Sequence, residues 1–204
     1  KIKHHWIANF SANKSTKPIV ELIGAPDDRG ILNVGGRLGA NRGPEAVRRM
    51  FADFALGING EIEKIELSKG RDIALGESIA GAHAEIRRQV AENAAASIRS
   101  IVIGGGHDYG FPHVAGISDF YDGKVGLLNV DAHLDVRPVA KGVITSGSPF
   151  WLMLEEKAVL PANFIEFGIQ PHCNDKSFIE YLRRKKVKIG MLAETRKSGP
   201  VKIF

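Results

Sequence analysis

Short apolar runs alternate with longer amphipathic stretches along this chain, the pattern left by strands threaded between helices. The run at 18–24 (PIVELIG) closes on a Gly-Ala-Pro-Asp-Asp turn and reads as a buried strand opening onto a loop. Pro44 then starts a helix. Proline suits the first helical position, Glu45 falls in the first turn, and Val47, Met50, Phe51 and Phe54 recur at helical spacing. A second strand is expected at 62–67. The clearest helix is 77–98, where Ile79, Ala82, Ile86, Val90 and the stretch 94–98 form one apolar stripe opposite Arg87, Arg88 and Glu92. His83 borders that stripe and reads as a core or interface histidine.

Ile101-Val102-Ile103 breaks into Gly104-Gly105-Gly106, a strand turning sharply off a sheet. A helical connection around 111–120 leads to a buried strand at 124–130 (KVGLLNV). A helix at 149–157, a strand at 164–168, a helix at 176–186 and a strand at 187–191 complete the alternation. No internal repeat or low-complexity linker interrupts it. The pattern therefore predicts an α/β fold with a mostly parallel sheet, in one domain over 1–204. In such sheets ligands bind beyond the carboxyl ends of the strands, which directs attention to the residues just after each run.

Composition narrows the class. With 204 residues, 44% hydrophobic and 25% charged, the chain has the make-up of a soluble globular protein, not of a disordered or collagen-like one. No run approaches the roughly 18 to 20 apolar residues of a membrane-spanning helix, and the first ten residues lack the apolar centre of a signal peptide. The expected location is cytoplasmic, without membrane association. The lone Cys173 can form no intrachain disulfide, in keeping with a reducing compartment. The net charge of +5 is a C-terminal feature: from Lys176 onward nine Lys or Arg face only Glu180 and Glu194. Its core, Arg183-Arg184-Lys185-Lys186, has no interleaved aromatics and reads as a solvated helix end, not as a nucleic-acid surface.

The chemistry concentrates after the strand at 124–130, in Asp131-Ala132-His133-Leu134-Asp135. In an extended segment alternate residues face the same way, so two carboxylates and an imidazole are expected to project together where the strand leaves the sheet. Such a group needs a cation or protons, and this donor set suits a first-row divalent metal. A second group, Gly104-Gly105-Gly106-His107-Asp108, leaves the preceding parallel strand. A right-handed crossover would make the two strands neighbours and bring His107 to Asp131, His133 and Asp135. As a phosphate loop this stretch is weak, because it lacks both glycine-loop patterns. Asp108 serves either to orient a ligand or to stabilise the turn. His113 reads as a connecting-helix residue, His172 as a residue at the active-site end of its strand, and His4 and His5 as an ordinary terminus.

These motifs carry a family resemblance. Gly104-Gly-Gly-His-Asp-Tyr, Asn129-Val-Asp-Ala-His-Leu-Asp and Ser146-Gly-Ser-Pro-Phe resemble successive signatures of the ureohydrolases, the superfamily of arginase, agmatinase and formimidoylglutamase. Gly24-Ala-Pro-Asp-Asp-Arg-Gly, Gly36-Arg-Leu-Gly-Ala and Arg42-Gly-Pro-Glu-Ala-Val-Arg resemble the family's opening strand, loop and first helix. The resemblance implies a three-layer α/β/α fold and two manganese ions, with His107, Asp131, His133 and Asp135 as ligands. Asp131 would bridge the ions, and each histidine would serve one of them. The implied chemistry is attack of an acidified water on a planar amidine or guanidine carbon.

Three features resemble the formimidoylglutamase branch. Gly106 stands where arginases carry Asp, Ser146 where arginases and agmatinases carry His, and Asp135-Val-Arg137 with Ser146-Gly-Ser-Pro-Phe matches that branch. Arg137 is then expected to pair with a substrate carboxylate and Ser146 to contact substrate. The implied reaction converts N-formimidoyl-L-glutamate and water to L-glutamate and formamide, a step of histidine breakdown, in a homo-oligomer. Agmatinase-like guanidine hydrolysis, or a non-catalytic metal-binding role, is the alternative. A deacetylase on a related metal fold would also use Asp-x-His but fits the glycine-rich opening poorly. The family's later Ser-x-Asp-x-Asp signature is absent, so the domain is expected to be incomplete at its C-terminus and poorly active by itself.

Overall fold

In the computed structural model of the chain, residues 17–53, 65–68 and 70–199 are described. Among them, parallel strands alternate with helices in the order β1 (Ile19–Gly24), α1 (Arg29–Leu32), α2 (Gly43–Asp53), β2 (Glu66–Ser68), α3 (Ile79–Ala95), β3 (Ile98–Ile103) and α4 (Gly110–Phe120). The second half continues with β4 (Leu127–Val130), α5 (Pro149–Glu155), β5 (Phe164–Ile169), α6 (Lys176–Lys185), β6 (Lys188–Met191) and α7 (Leu192–Ser198). Phe54, Ile62, His4 and His5 lie outside the described residues.

Every strand pairing is parallel, as the alternation predicts, but the strands form two sheets of three, ordered β2-β1-β3 and β4-β5-β6. This corrects the expectation that β3 and β4 are sheet neighbours. A crossover rule orders strands within one sheet, whereas here each of these two strands is hydrogen-bonded on one side only among the described residues. Their free edges expose Ile101, Leu128 and Val130.

Helices rather than strand pairing join the two halves. One apolar core lies between α3 and the first sheet, around Ile23, Ile86, Val90 and Tyr109, and takes Ile117 from α4. The larger core gathers Leu134, Phe150, Met153, Phe164 and Leu182 and takes Phe111 and Ala115 from the same helix. α4 therefore wedges between both cores, and burying side chains such as Ile86 or Phe164 stabilises each by about 1.5–3 kcal/mol.

Two other boundaries differ from the periodic reading. Ser78 caps α3, accepting the Gly81 N–H at 3.0 Å, but the helix ends at Ala95 instead of running to 98. Ser97 takes a left-handed φ of 59°, which reverses the chain and lets Ile98 start β3 opposite Ile19. On α2 the expected apolar stripe is not buried: Met50 and Phe51 are exposed, and the helix meets the sheet at Pro44, pressed against Gly24 and Gly104. In α6, Asp175 caps the start by accepting the Ser177 N–H at 2.8 Å, and Lys186 ends it at φ 62°. Lys185 of the basic run pairs with Glu155 at 2.8 Å, while Arg183 and Arg184 stay exposed.

Candidate metal centre

The carboxyl ends of β3 and β4, although in different sheets, deliver acidic and histidine side chains to one place. After β3, Gly104 and Gly105 adopt φ values of 86° and 72°, which side-chain-bearing residues rarely take, and so turn the chain within two residues into the His107–Tyr109 turn. Asp27 brackets that turn: its carbonyl accepts the Gly106 N–H at 3.2 Å and its carboxylate accepts the Tyr109 hydroxyl at 2.7 Å. Arg29 binds the same carboxylate at 2.8 Å. Burial opposes ionisation of Asp27, yet the Arg29 and Tyr109 hydrogen bonds outweigh it and hold its pKa below the usual carboxylate value. Burial and the Asp27 carboxylate push the Tyr109 hydroxyl well above the ordinary tyrosine range.

On the other side, β4 stops at Val130 and the segment 131–135 bends. Here the structure departs from the extended geometry expected of it. Asp131 accepts its own downstream His133 N–H at 3.0 Å, a local turn that a short acidic side chain favours. Asp135 sits at φ 43°, a left-handed conformation of the kind that clusters at functional sites. The bend directs Asp131 and Asp135 to His107, whose Nδ1 lies 2.7 Å from Asp135 Oδ2 and 3.4 Å from Asp131 Oδ2. Donor atoms of these three residues all lie within 4.8 Å of one another. His133 stands apart from the triplet, 57% exposed, with Nδ1 3.3 Å from Asp131 Oδ1.

Burial pushes the His107 pKa down, but the Asp135 hydrogen bond and the charges of Asp135, Asp131 and Asp108 outweigh it, so the ring titrates above the ordinary histidine value. The half-exposed imidazole is held edge-on to Phe150 at 5.4 Å between centroids. An imidazole nitrogen and two carboxylates converging at the mouth of an α/β fold form a donor set that fits a first-row divalent cation, which would relieve the repulsion between the acids.

The remaining sequence-selected residues take distinct places. The Ser146 backbone N–H donates to the Gly30 carbonyl at 2.8 Å, and its Cβ lies 3.2 Å from where a Cβ on Gly106 would stand, so its loop adjoins the His107 turn. Arg137 is exposed, its Nε 3.4 Å and the Asp135 carboxylate 3.7 Å from the position of a Cβ on Gly147. Its guanidinium has no ion-pair partner among the described residues. His172 is exposed in the turn after β5, and His113 lies on α4, its pKa lowered by burial. Asp108 does not cap its turn; it is fully buried and bonded to His83.

Two supporting residues went unread in the sequence. Asn174 clamps the 131–135 segment, accepting the Leu134 N–H at 2.8 Å and donating to the Ala132 carbonyl at 2.9 Å. Glu166, opposite Asn129 in the β4–β5 register, is completely buried. Burial raises its pKa to about 9 despite a 2.8 Å hydrogen bond from Asn129, with the Asp135 and Asp131 charges adding to the rise. A polar side chain on a central strand was the one available signal for Glu166; nothing marks Asn174 until the loops are packed.

Fold and cluster together define a parallel α/β protein with an acid–histidine centre of metal-binding type. Residues 19–204 match the family model described as Arginase family, and the chain belongs to that family. It is 39% identical over 132 residues to a formimidoylglutamase of Klebsiella pneumoniae (strain 342), and 31% identical over 175 residues to one of Salmonella arizonae. These matches cover 64% and 83% of the chain, which spans 40% and 54% of those relatives' lengths. A formiminoglutamase of Trypanosoma cruzi solved with Mn2+ superposes with a TM-score of 0.83 at 32% identity, over 94% of this chain and 66% of that one. No helix of the described residues is long and apolar enough to cross a membrane.

Proposed function

We propose that the chain carries part of a manganese centre that hydrolyses a linear amidine, with N-formimidoyl-L-glutamate as substrate and L-glutamate and formamide as products. The observation that carries this reading is the convergence of His107, Asp131 and Asp135 within 4.8 Å at the strand ends, in a chain of the arginase family that is similar to curated formimidoylglutamases.

His107, Asp131 and Asp135 would hold one manganese ion, and His133, beside Asp131 but outside that triplet, would serve the second. Bound manganese supplies acidified water and charge stabilisation. Four protein groups leave two octahedral-type cations short of ligands, so full occupancy requires donors beyond these. The exposed Arg137 guanidinium, across Gly147 from Asp135, would pair with a substrate carboxylate through its planar fork. Ser146 would contact the amidine end, orienting it by a hydroxyl that has no acid–base role near neutral pH. The Phe150 ring packs against one side of His107. In the net reaction the water oxygen adds to the amidine carbon and the bond from that carbon to the glutamate nitrogen breaks; of the two water protons, one ends on the departing amine and the other on the nitrogen kept in formamide.

The test measures manganese per chain after Mn2+ loading and desalting, then formamide release from N-formimidoyl-L-glutamate beside urea release from agmatine and arginine. Bound manganese with release of formamide supports the proposal. Urea release alone would replace the substrate, and two bound manganese ions per chain without turnover on any of the three would favour the non-catalytic metal-binding reading. No bound manganese overturns the proposed centre.

A further inference from the structure

Asp108, in the His107–Tyr109 turn itself, belongs to a buried acid–histidine pair that the proposed chemistry does not use. His83 on α3 and Asp108 are 4% and 0% exposed, and His83 Nε2 lies 2.8 Å from Asp108 Oδ2. The imidazole also packs edge-on against Tyr109, with 4.9 Å between ring centroids. Taking both groups out of water is costly, and Asp108 Oδ1 has no hydrogen-bond partner among the described residues.

What surrounds that oxygen is glycine. A Cβ on Gly106 would overlap Asp108 Oδ1, and a Cβ on Gly30 would overlap it too while standing 2.6 Å from Asp108 Cγ. Backbone conformation does not ask for glycine at either position. Gly106 has an ordinary extended φ of −70°, and Gly30 lies inside α1 without a positive φ. The carboxylate cannot retreat to admit a side chain, because it is enclosed and tied to His83. The requirement for glycine is therefore steric and comes first from Asp108; at position 106, Ile31 Cγ1 and Ser146 Cβ, each 3.2 Å from the added Cβ, narrow the space further.

We propose that the His83–Asp108 pair is a positioning element of the metal centre, and that Gly30 and Gly106 are glycine because they form the socket for its carboxylate. Both arms of the site bear on that socket. Gly106 immediately precedes His107, and the Gly30 carbonyl accepts the Ser146 N–H at 2.8 Å. One buried carboxylate thus sets how closely the His107 turn approaches the Ser146 loop. The pairing also accounts for a glycine before His107 in this sequence, since a side chain at 106 and a carboxylate at 108 compete for one space.

The steric part stands on geometry alone, and the positioning part rests on the proposed metal centre. A double-mutant cycle on the chain separates them, with Gly106→Ala, Asp108→Ser and the pair read by thermal melting and by Mn2+ binding followed through the paramagnetic resonance of free Mn2+. Gly106→Ala is expected to lower the Tm by ~5 °C in the parent and by ~1 °C or less once residue 108 is serine. Equal losses in both backgrounds overturn the socket. Asp108→Ser is expected to weaken Mn2+ binding by ~10–100-fold, and Asp108→Asn, which keeps the shape and the His83 bond, to recover most of it. Unchanged affinity in Asp108→Ser, with the parent binding Mn2+, overturns the positioning role alone. A parent that binds no Mn2+ overturns the metal reading and the positioning role together, while the melting cycle still decides the socket.

Discussion

The side-chain carbonyl of Asn174, at the end of the turn after β5, accepts the backbone N–H of Leu134 at 2.8 Å, while its amide donates to the carbonyls of Ala132 and Gln170, each at 2.9 Å. One side chain thereby pins the backbone on both sides of His133. The bend that turns Asp131 and Asp135 toward His107 consequently depends on a residue about forty positions later in the chain.

Replacing Asn174 with Ala removes three hydrogen bonds and leaves the Leu134 N–H and Ala132 carbonyl to find other partners. A loss of about 1–3 kcal/mol in unfolding free energy is expected. Urea denaturation measures it. Mn2+ binding should weaken in the same variant, and full affinity would show that the bend persists without the clamp.

Glu166 carries a pH signature. Its folded pKa of about 9 lies above the model-compound value of 4.5, so the folded state holds a proton that the unfolded chain has released in between. Its contribution to stability is fully present below 4.5, falls as the pH rises, and is gone above about 9. Glu166→Gln keeps the shape without the ionisation. Relative to parent, the variant should gain stability toward alkaline pH, by at most ~1.4 kcal/mol per pH unit across that window. Parallel stability–pH curves would exclude the buried neutral acid.

His107 couples metal to protons. With its pKa raised by Asp135 and Asp131, the ring keeps a proton to higher pH than an ordinary histidine in the metal-free chain. The stabilisation from that ion pair is present below 6.5 and lost as the pH rises through the folded pKa. A metal must displace the proton, so the apparent Mn2+ affinity should climb with pH through the same range. Calorimetry in two buffers of different ionisation enthalpy detects the released proton. Asp135→Asn should reduce both the affinity and the proton release.

Arg137 offers a separable test of substrate choice. Arg137→Ala is expected to raise KM for an acidic amidine by ~10–100-fold, consistent with loss of a charge-assisted pair of ~1.5–3 kcal/mol, and to leave thermal stability within ~0.5 kcal/mol of parent. Arg137→Lys should recover only part of the affinity, because an ammonium lacks the fork. A fall in stability without any change in KM would make Arg137 a brace for the loop before Pro138.

The α/β alternation was legible because burial imposes a period on the sequence. Strand cores such as 19–24 and 164–169 read as apolar runs, and α3 reads as a stripe containing Ile86 and Val90. The end of α3 was not legible, because apolar residues continue through 98 and only Ser97's left-handed backbone divides helix from strand. The exposed stripe on α2 was misread for a related reason: periodicity marks a face without saying what covers it.

By itself the sequence determined the chemistry available. The spacing of Asp131, His133 and Asp135, and the glycines before His107, are covalent facts that survive any packing, and they are enough to mark a candidate divalent-metal site at strand ends. Only the tertiary structure decided which groups meet. β3 and β4 lie in separate sheets, His107 joins Asp131 and Asp135 while His133 stands aside, and Asn174, Glu166 and the His83–Asp108 pair support the site from distant parts of the chain. The reason is physical: local sequence sets backbone preference and burial period, whereas hydrogen bonds and steric fit between remote segments exist only once loops and helices have packed.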